Sequence, residues 1–558
     1  MCKSRYFLFL SFFLFINFTI SWSVEKPLVN TKDYPVISPE LRTFLSNKPS
    51  DEKVKVWVYF TDKGIFDQES YEKAKSRNQN LFPVKSLQRR AKVLKSELIS
   101  FLDLPVHQLY VENIKSLGAK LRQPSRWLNA VSFEVSGEMI EQISLLSFVK
   151  SIKPVLTYVR EPIKEEVLPQ LKPLVPINYG PSYDQLQQIN VPAVHALGYH
   201  GEGVLVCMMD TGFRKDHKAF KSAYSEGRVL AEYDFINHDT NTQNEPVQDA
   251  SNQHNHGTYT WSTLGGEVDG TLYGPAYKAN FILAKTEYVP TETRIEEDNW
   301  VAGMEWADSI GADVISSSLG YLDFDDGFTY TRQQLDGNTA ITTIAADIAA
   351  NLGIVVCNAM GNEGPGDTTL ITPADADTII ACGAVNSSGT IASFSSRGPT
   401  GDGRIKPEVV ARGVSTYCAT ATDTNTFGSV SGTSLSTPLV GGCAAVLLSA
   451  HPDWVPWKVR EALMYTANNA LTPNNTYGWG LLNLLAAVQY SFKTGDVNRD
   501  GKNSVSDIVY LINYLLKGGP EPYLPYRGDV NCDQKVSISD VVYLINYLFK
   551  SGPEPCSY

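Results

Sequence analysis

Three short stretches of the chain carry residue types that could do covalent chemistry together. Ser434 lies within "SGTSLSTPL" (431–439), which sets five hydroxyl-bearing residues directly ahead of the small and apolar run "VGGCAAVLLSA". Asp210 closes an apolar run in "VLVCMMDTG", and His256 sits in "NHGTYTWSTLGG". A serine becomes a nucleophile only beside a base, and an imidazole base needs a carboxylate to hold its tautomer and orientation. Asp, His, Ser in that chain order is one of the known solutions. Each stretch by itself has an ordinary explanation. Hydroxyls ahead of an apolar helix read as N-caps, and a histidine near glycine and threonine reads as a loop or cap residue. "DTG" also fits a paired-carboxylate mechanism, but that needs two such groups side by side, and "DTG" occurs once. Ser434 is no nucleophile elbow, because residue 436 is serine where G-x-S-x-G needs glycine.

These residues need a scaffold, and the surrounding pattern supplies one. From 181 to 492, apolar strands such as "GVLVCMM", "ADVISSSL", "GIVVCNAM" and "TIIACGAV" alternate with helical stretches such as "WVAGMEWADSIG". Near-continuous apolar strands separated by helices predict an α/β domain on a buried, mostly parallel sheet. Ser434 then falls at the N-terminus of a buried helix, where its own N–H and the helix dipole favour a developing negative charge. Pro438, four residues on, is expected inside the first turn, where a missing N–H costs little.

Upstream, "VKVWVYF" (54–60) and "LNAVSFEV" (128–135) read as strands. "SLQRRAKVLKSELISFLDL" (86–104) and "EMIEQISLLSFV" (138–149) read as amphipathic helices, and "VKSIKPV" (149–155) closes a compact α+β unit over 50–160. The next stretch, "REPIKEEVLPQLKPLVPINYGPS", holds five prolines. It marks 161–180 as a linker of the kind where proteolytic nicking concentrates. At the N-terminus Lys3 and Arg5 precede an apolar run from Tyr6 to Thr19, and "SWS" follows at 21–23. That pattern predicts a secretory signal peptide over 1–23, with no later segment reading as a membrane span. A net charge of −12 and the lack of a basic stripe argue against a nucleic-acid partner. Cys207, Cys357, Cys382 and Cys443 lie in apolar runs and read as buried thiols. Cys532 and Cys556 are the candidate disulfide, which export permits, although spacing does not fix the connectivity.

The last 65 residues contain a repeat of period 33: 495–522 matches 528–555 at 21 of 28 positions. Its first loop, "DVNRDGKNSVSD", offers oxygen ligands at positions 1, 3, 5 and 12, which are Asp496, Asn498, Asp500 and Asp507. The Lys502 carbonyl falls at position 7 and Gly501 at the turn position 6. The second loop offers Asp529, Asn531, Asp533, Asp540 and the Lys535 carbonyl, with Gln534 in place of the turn glycine. Oxygen-only donors at these spacings point to calcium. A helix follows each loop and none precedes it, unlike a full EF-hand.

Taken together, "DTG" (210–212), "HGT" (256–258), "SSSLG" (316–320), "MGNEG" (360–364), "SSRGP" (395–399), "KPEVVARG" (406–413) and "GTSLSTP" (432–438) closely resemble the subtilisin-like serine proteases. The resemblance implies an α/β, subtilisin-like catalytic domain over 181–492 that hydrolyses peptide bonds in protein or peptide substrates, with no cofactor for catalysis. It implies Asp210, His256 and Ser434 as the triad and Asn362 as the side-chain donor of the oxyanion hole. Ser318, Leu319 and Gly320, with Met360 and Gly361, would line the substrate. The 50–160 unit resembles the pro-domains of secreted subtilases, which assist folding and block the active site until released, so the chain would be a zymogen. The duplicated loop–helix unit over 494–558 resembles a dockerin, which implies a cohesin-type partner met near Val505–Ser506 and Ile538–Ser539. Such a protein would be secreted and held at the cell surface through that module. An inactive frame of the same family would lack a triad member or the oxyanion donor, and all four positions are filled. Two departures stand out: Tyr259 where many members have histidine, and Ala219 where the family often has a calcium-binding aspartate.

Overall fold

The computed structural model describes residues 29–556 except 47–48, 50–51, 80, 95–96, 156–164, 167–176, 291–294, 323–328, 493, 499–501 and 523–524. The signal-peptide reading of 1–23, most of the 161–180 linker, and Asp500 with Gly501 therefore lie outside the described residues. The chain divides into two compact units.

The small unit comprises residues up to Asn78 together with Ile99–Pro154. Its antiparallel sheet runs Lys120–Ser125, Ala130–Ser136, Lys53–Phe60, Val149–Pro154. Val54, Val56, Val58 and Phe60 alternate inward and meet Val131, Phe133 and Val135 under a cover of Val111, Ile114, Ile140 and Ile143 from two helices. Period-two burial over one face is what the strand residues dictate. The helix expected over 86–104 is shorter and covers only Val84–Val93. Leu94 turns extended, and Ser100 and Asp103 close a separate single-turn helix by a reciprocal capping box. Gln79–Leu98 does not join the small unit at all and groups with the larger one.

In the larger unit seven parallel strands run in the order Val409–Arg412, Ile380–Val385, Val355–Ala359, Val314–Ser317, Leu205–Asp210, Asn280–Lys285, Val229–Asp234. Six of the seven are wholly or almost wholly buried, as continuous apolar runs require. Helix Thr433–Ala450 packs against four of them and against helix Asn255–Gly265. With a mean hydropathy of 1.4 that helix is apolar enough to cross a membrane, but 89% of it is buried inside the unit, where it serves as the core helix. Cys207, Cys357, Cys382 and Cys443 are buried free thiols, and so is Cys418.

The C-terminal repeat belongs to the same unit. Helices Val505–Lys517 and Ile538–Lys550 share a core of Val497, Ile508 and Leu511 with their counterparts Val530, Val541 and Leu544. Cys532 and Cys556 are joined, their Cα atoms 6.1 Å apart. Glu461 of helix Pro456–Tyr465 accepts hydrogen bonds from Tyr490 Oη (2.8 Å) and from Tyr526, and pairs with Arg527 at 3.4 Å. Arg527 reaches on to Asp496 Oδ2 at 3.2 Å. A buried ionic knot therefore fixes the repeat against the last helices of the α/β domain.

Candidate active site

Asp210 ends the central strand Leu205–Asp210 and is fully buried. The chain must leave sharply there, and Gly212 (φ +134°) allows it: a Cβ would lie 2.9 Å from the Thr242 carbonyl oxygen. Asp210 Oδ1 accepts the Thr211 N–H at 2.8 Å and His256 Nδ1–H at 2.6 Å, while Oδ2 accepts the Thr260 hydroxyl at 2.9 Å. An ionised carboxylate can only accept, so Nδ1 carries a proton, and in the neutral imidazole Nε2 is then the nitrogen free to accept. His256 opens helix Asn255–Gly265, and Thr260 lies four residues on along the same face. Gly257 lets that helix approach, since a Cβ there would stand 2.1 Å from the Gly212 carbonyl oxygen. Burial holds the neighbouring His254 pKa at about 4, so it is uncharged at neutral pH.

Ser434 is the second residue of helix Thr433–Ala450. The structure corrects two expectations here. No hydroxyl caps this helix: the N-cap is Gly432, and Ser436 and Thr437 both donate to the Thr433 carbonyl at 2.9 Å. The Thr433 N–H is instead satisfied from afar by Asn362 Oδ1 at 2.9 Å, which also accepts the Thr433 hydroxyl at 3.0 Å. Pro438 is the sixth helical residue, beyond the first turn, so the Ser434 carbonyl has no N–H four residues on. The Ser318 hydroxyl fills that vacancy with a 2.9 Å bond.

A Cβ placed on Gly432 would lie 3.7 Å from Ser434 N and 3.8 Å from Asn362 Nδ2. Both donors therefore lie close to Gly432, with Asn362 Oδ1 3.9 Å from the same point.

The candidate substrate residues divide. Ser318 and Leu319 are nearly buried, with the Leu319 carbonyl taken by Asn358 Nδ2 (2.9 Å) and the Ser318 carbonyl 3.4 Å from Ser434 Oγ. Gly320 is half-buried against Ile371. The Met360 side chain is fully buried, and its carbonyl accepts the Ile371 N–H at 3.3 Å. Gly361 (φ +106°) has no room for a side chain beside Glu363 and Ser396.

The departures also find their explanation. Tyr259 is buried with Cys418, Ala421, Val430 and Leu435, packing the turn after His256 against the residue after Ser434. Ala219 is buried in the apolar core, where it packs as an ordinary small side chain. Thr260, Thr433 and Gly432 went unassigned in the sequence reading. Their only signal there was proximity to the histidine and the serine.

In the C-terminal loops Asp507 Oδ1 accepts the Val497 and Asn498 N–H groups at 2.8 and 3.0 Å, and Asp540 Oδ1 does the same for Val530 and Asn531. Asp529 accepts the Asp533 and Gln534 N–H groups (3.0 and 2.7 Å), which holds Gln534 in a left-handed turn (φ +70°), a conformation that glycine takes more easily. Among the described residues no three carboxylate, imidazole or thiol groups stand as a ready metal cluster. The expected donor set is mixed, with Asn498, Asn531 and the carbonyls of Lys502 and Lys535 contributing neutral oxygens, which suits calcium.

A buried carboxylate on an imidazole, with a serine and a second donor at a helix N-terminus, sits at the carboxyl edge of a parallel sheet: the layout of a serine hydrolase. Residues 201–480 match the subtilase family, residues 55–168 a peptidase S8 propeptide domain of Bacteroidota, and residues 494–549 a dockerin type I domain. The chain is 34% identical to subtilisin E of Bacillus subtilis over 379 residues, covering 67% of this chain and 85% of that one. It is 36% identical to subtilisin of Bacillus pumilus over 307 residues, covering 54% and 98%. The crystal structure of fervidolysin from Fervidobacterium pennivorans, a keratinolytic enzyme related to subtilisin, shares the fold with a TM-score of 0.55 at 21% identity. That alignment covers 81% of this chain and 64% of that one. The chain belongs to the subtilase family and is a subtilisin-like serine endopeptidase with a propeptide domain and a dockerin domain.

Proposed function

We propose that the chain is a secreted zymogen whose Ser434 attacks the scissile carbonyl while His256 Nε2 takes the hydroxyl proton. Asp210 orients the imidazole and balances its charge, and the Ser434 N–H and Asn362 Nδ2 hold the oxyanion. His256 then passes the proton to the leaving amine, and a water hydrolyses the acyl-enzyme by the same steps. The observation that carries this reading is the fully buried Asp210 holding the Nδ1 proton of His256 at 2.6 Å. Ser318–Gly320 would add an edge to an extended substrate. The propeptide would inhibit the enzyme in the same molecule until the chain is cut between 161 and 180. A fluorophosphonate probe labels Ser434 in the folded mature protein; no label on folded protein rejects the mechanism.

The dockerin loops would take calcium through Asp496, Asn498, Asp500, Asp507 and the Lys502 carbonyl, and through Asp529, Asn531, Asp533, Asp540 and the Lys535 carbonyl. Bound calcium would neutralise the clustered carboxylates and lock each loop against its helix. The helices then present Val505, Val509 and Leu516 with their counterparts Ile538, Val542 and Phe549. All six are about half exposed or more, an apolar face suited to a cohesin-type partner that would hold the enzyme at the cell surface. Titration calorimetry on the Ser434→Ala chain gives two calcium equivalents, and binding to an immobilised type I cohesin disappears with a chelator. Zero calcium uptake would end this reading, and chelator-insensitive cohesin binding would end its calcium dependence.

A further inference from the structure

One helix of the larger unit comes from the part of the chain that matches the propeptide. Gln79–Leu98 groups with the larger unit although its neighbours in sequence, up to Asn78 and from Ile99, build the small one. All of it lies within the propeptide match at 55–168. Its helix Val84–Val93 carries "SLQRRAK", and basic residues on a short helix ordinarily face water. Here Ser86, Arg89 and Arg90 are 0, 3 and 0% exposed.

Their partners belong to the protease domain. Arg89 donates Nη2 to Asp308 Oδ1, Nη1 to the Ala312 carbonyl at 2.8 Å and Nε to the Leu352 carbonyl at 3.1 Å. Arg90 donates Nη2 to Asp308 Oδ2 at 2.6 Å, and its guanidinium lies 4.6 Å from the centre of the Phe82 ring. Ser86 donates to the Asp308 carbonyl at 3.0 Å, and Lys85 pairs with Asp313 at 2.7 Å.

Asp308 and Ala312 stand at the end of helix Ile295–Ile310, and Leu352 is the C-cap of helix Ile341–Asn351. The last carbonyls of a helix lack internal donors and carry the negative end of its dipole. One planar guanidinium, with five donors, serves both helix ends and a buried carboxylate at once. The glycines that end these helices leave the space: a Cβ on Gly311 would lie 3.0 Å from Ser86 N, and one on Gly353 3.2 Å from Arg89 Cγ. Asp313 also accepts the N–H of Leu205, the first residue of the strand that ends in Asp210. The cluster therefore sits at the opposite edge of the sheet from the catalytic groups, roughly 17 Å along the strand.

We infer that the C-terminal ends of helices Ile295–Ile310 and Ile341–Asn351 form a receptor socket for an arginine-pair helix. Its occupant is the chain's own helix Val84–Val93, which anchors the propeptide on the protease independently of the active site. The inference rests on the reading that the propeptide is cut away between 161 and 180. After that cut the socket, rather than a peptide bond, retains the fragment, and Asp308 keeps its two arginines only while the fragment stays.

The test uses the full chain with Ser434→Ala and a recognition site for a sequence-specific protease inserted within 167–176. After nicking, the two fragments co-elute on gel filtration. With Arg89→Lys and Arg90→Lys together, the propeptide fragment dissociates roughly a hundred-fold faster, as expected when a buried charge pair loses its geometry. Asp308→Asn, nearly isosteric, speeds dissociation in the same direction and covers the case in which the double variant does not fold. Immediate separation of the parent fragments, or rates within two-fold of the parent in both variants, overturns the inference. Because Ser434 is absent throughout, the result is independent of catalysis: a chain that fails to label or to cleave itself refutes the protease mechanism and leaves the socket measurement intact.

Discussion

The Ser434→Ala chain folds, keeps its propeptide attached and hydrolyses peptides on the order of a million-fold more slowly than the unsubstituted chain. The Ser434 hydroxyl donates to the Ser318 carbonyl at a long 3.4 Å, and alanine keeps the backbone of the helix start unchanged. What it loses is the bond-forming atom. The rest of the machinery survives, because Asn362 is oriented by Thr433 and the Ser434 N–H belongs to the backbone. A residual rate above water, about 10³-fold, is therefore expected from the oxyanion donors and substrate positioning alone. Release of the propeptide on a denaturing gel and kcat on a peptide library check this together. Unchanged hydrolysis and processing in the purified variant would remove Ser434 from the mechanism.

Asp210 gives the second large effect, with a graded outcome particular to this site. Asp210→Ala slows kcat on the order of 10⁴-fold, because His256 loses both its orienting partner and the charge that stabilises its imidazolium. Asp210→Asn is expected to be milder. The Thr211 N–H and His256 Nδ1–H both point at Oδ1, so an amide places its oxygen there. Its NH₂ then faces Thr260, whose hydroxyl can accept it while donating to the Gly257 carbonyl at 3.2 Å. The tautomer is preserved and only the charge is lost, leaving a defect of roughly a thousand-fold for a pair in an effective dielectric near 20. If Asn is as damaging as Ala, the amide has flipped and Thr260 does not direct it. Thr260→Val added to Asp210→Asn then costs nothing further, whereas it costs more where Thr260 sets the orientation.

The two halves of the site differed in how far the chain spelled them out. "DTG", "HGT" and "GTSLSTP" lie at the ends of strands and helices whose apolar periodicity is strong, so local sequence both built the elements and marked their reactive ends. The supports for those residues come from elsewhere in the chain. Asn362 replacing a side-chain cap for Thr433, and Ser318 taking the carbonyl that Pro438 leaves open, join residues 71 and 116 positions apart. No local propensity encodes such a pairing. Tyr259 looked like an anomaly for the same reason: its partners Cys418, Val430 and Leu435 are remote in sequence. The repeat was the most legible part, since each copy carries its loop ligands, its capping serine and its core leucine at fixed offsets. Even there, the Glu461–Arg527 pair that fixes it against the α/β domain was silent.

The segment "SLQRRAKVLKSEL" marks the limit most clearly. Its composition predicts a helix with a polar face, and a helix forms, although shorter. Composition says nothing of where two arginines go. That depends on Asp308 and two helix ends more than 200 residues away, which only folding brings together. By itself the sequence determined the α/β core, the repeat, and which aspartate, histidine and serine to propose as the reacting groups, because periodicity and short motifs are local properties. The tertiary structure decided what holds those groups in register and what the propeptide helix grips, because orphan carbonyls and buried carboxylates acquire partners only once distant elements pack.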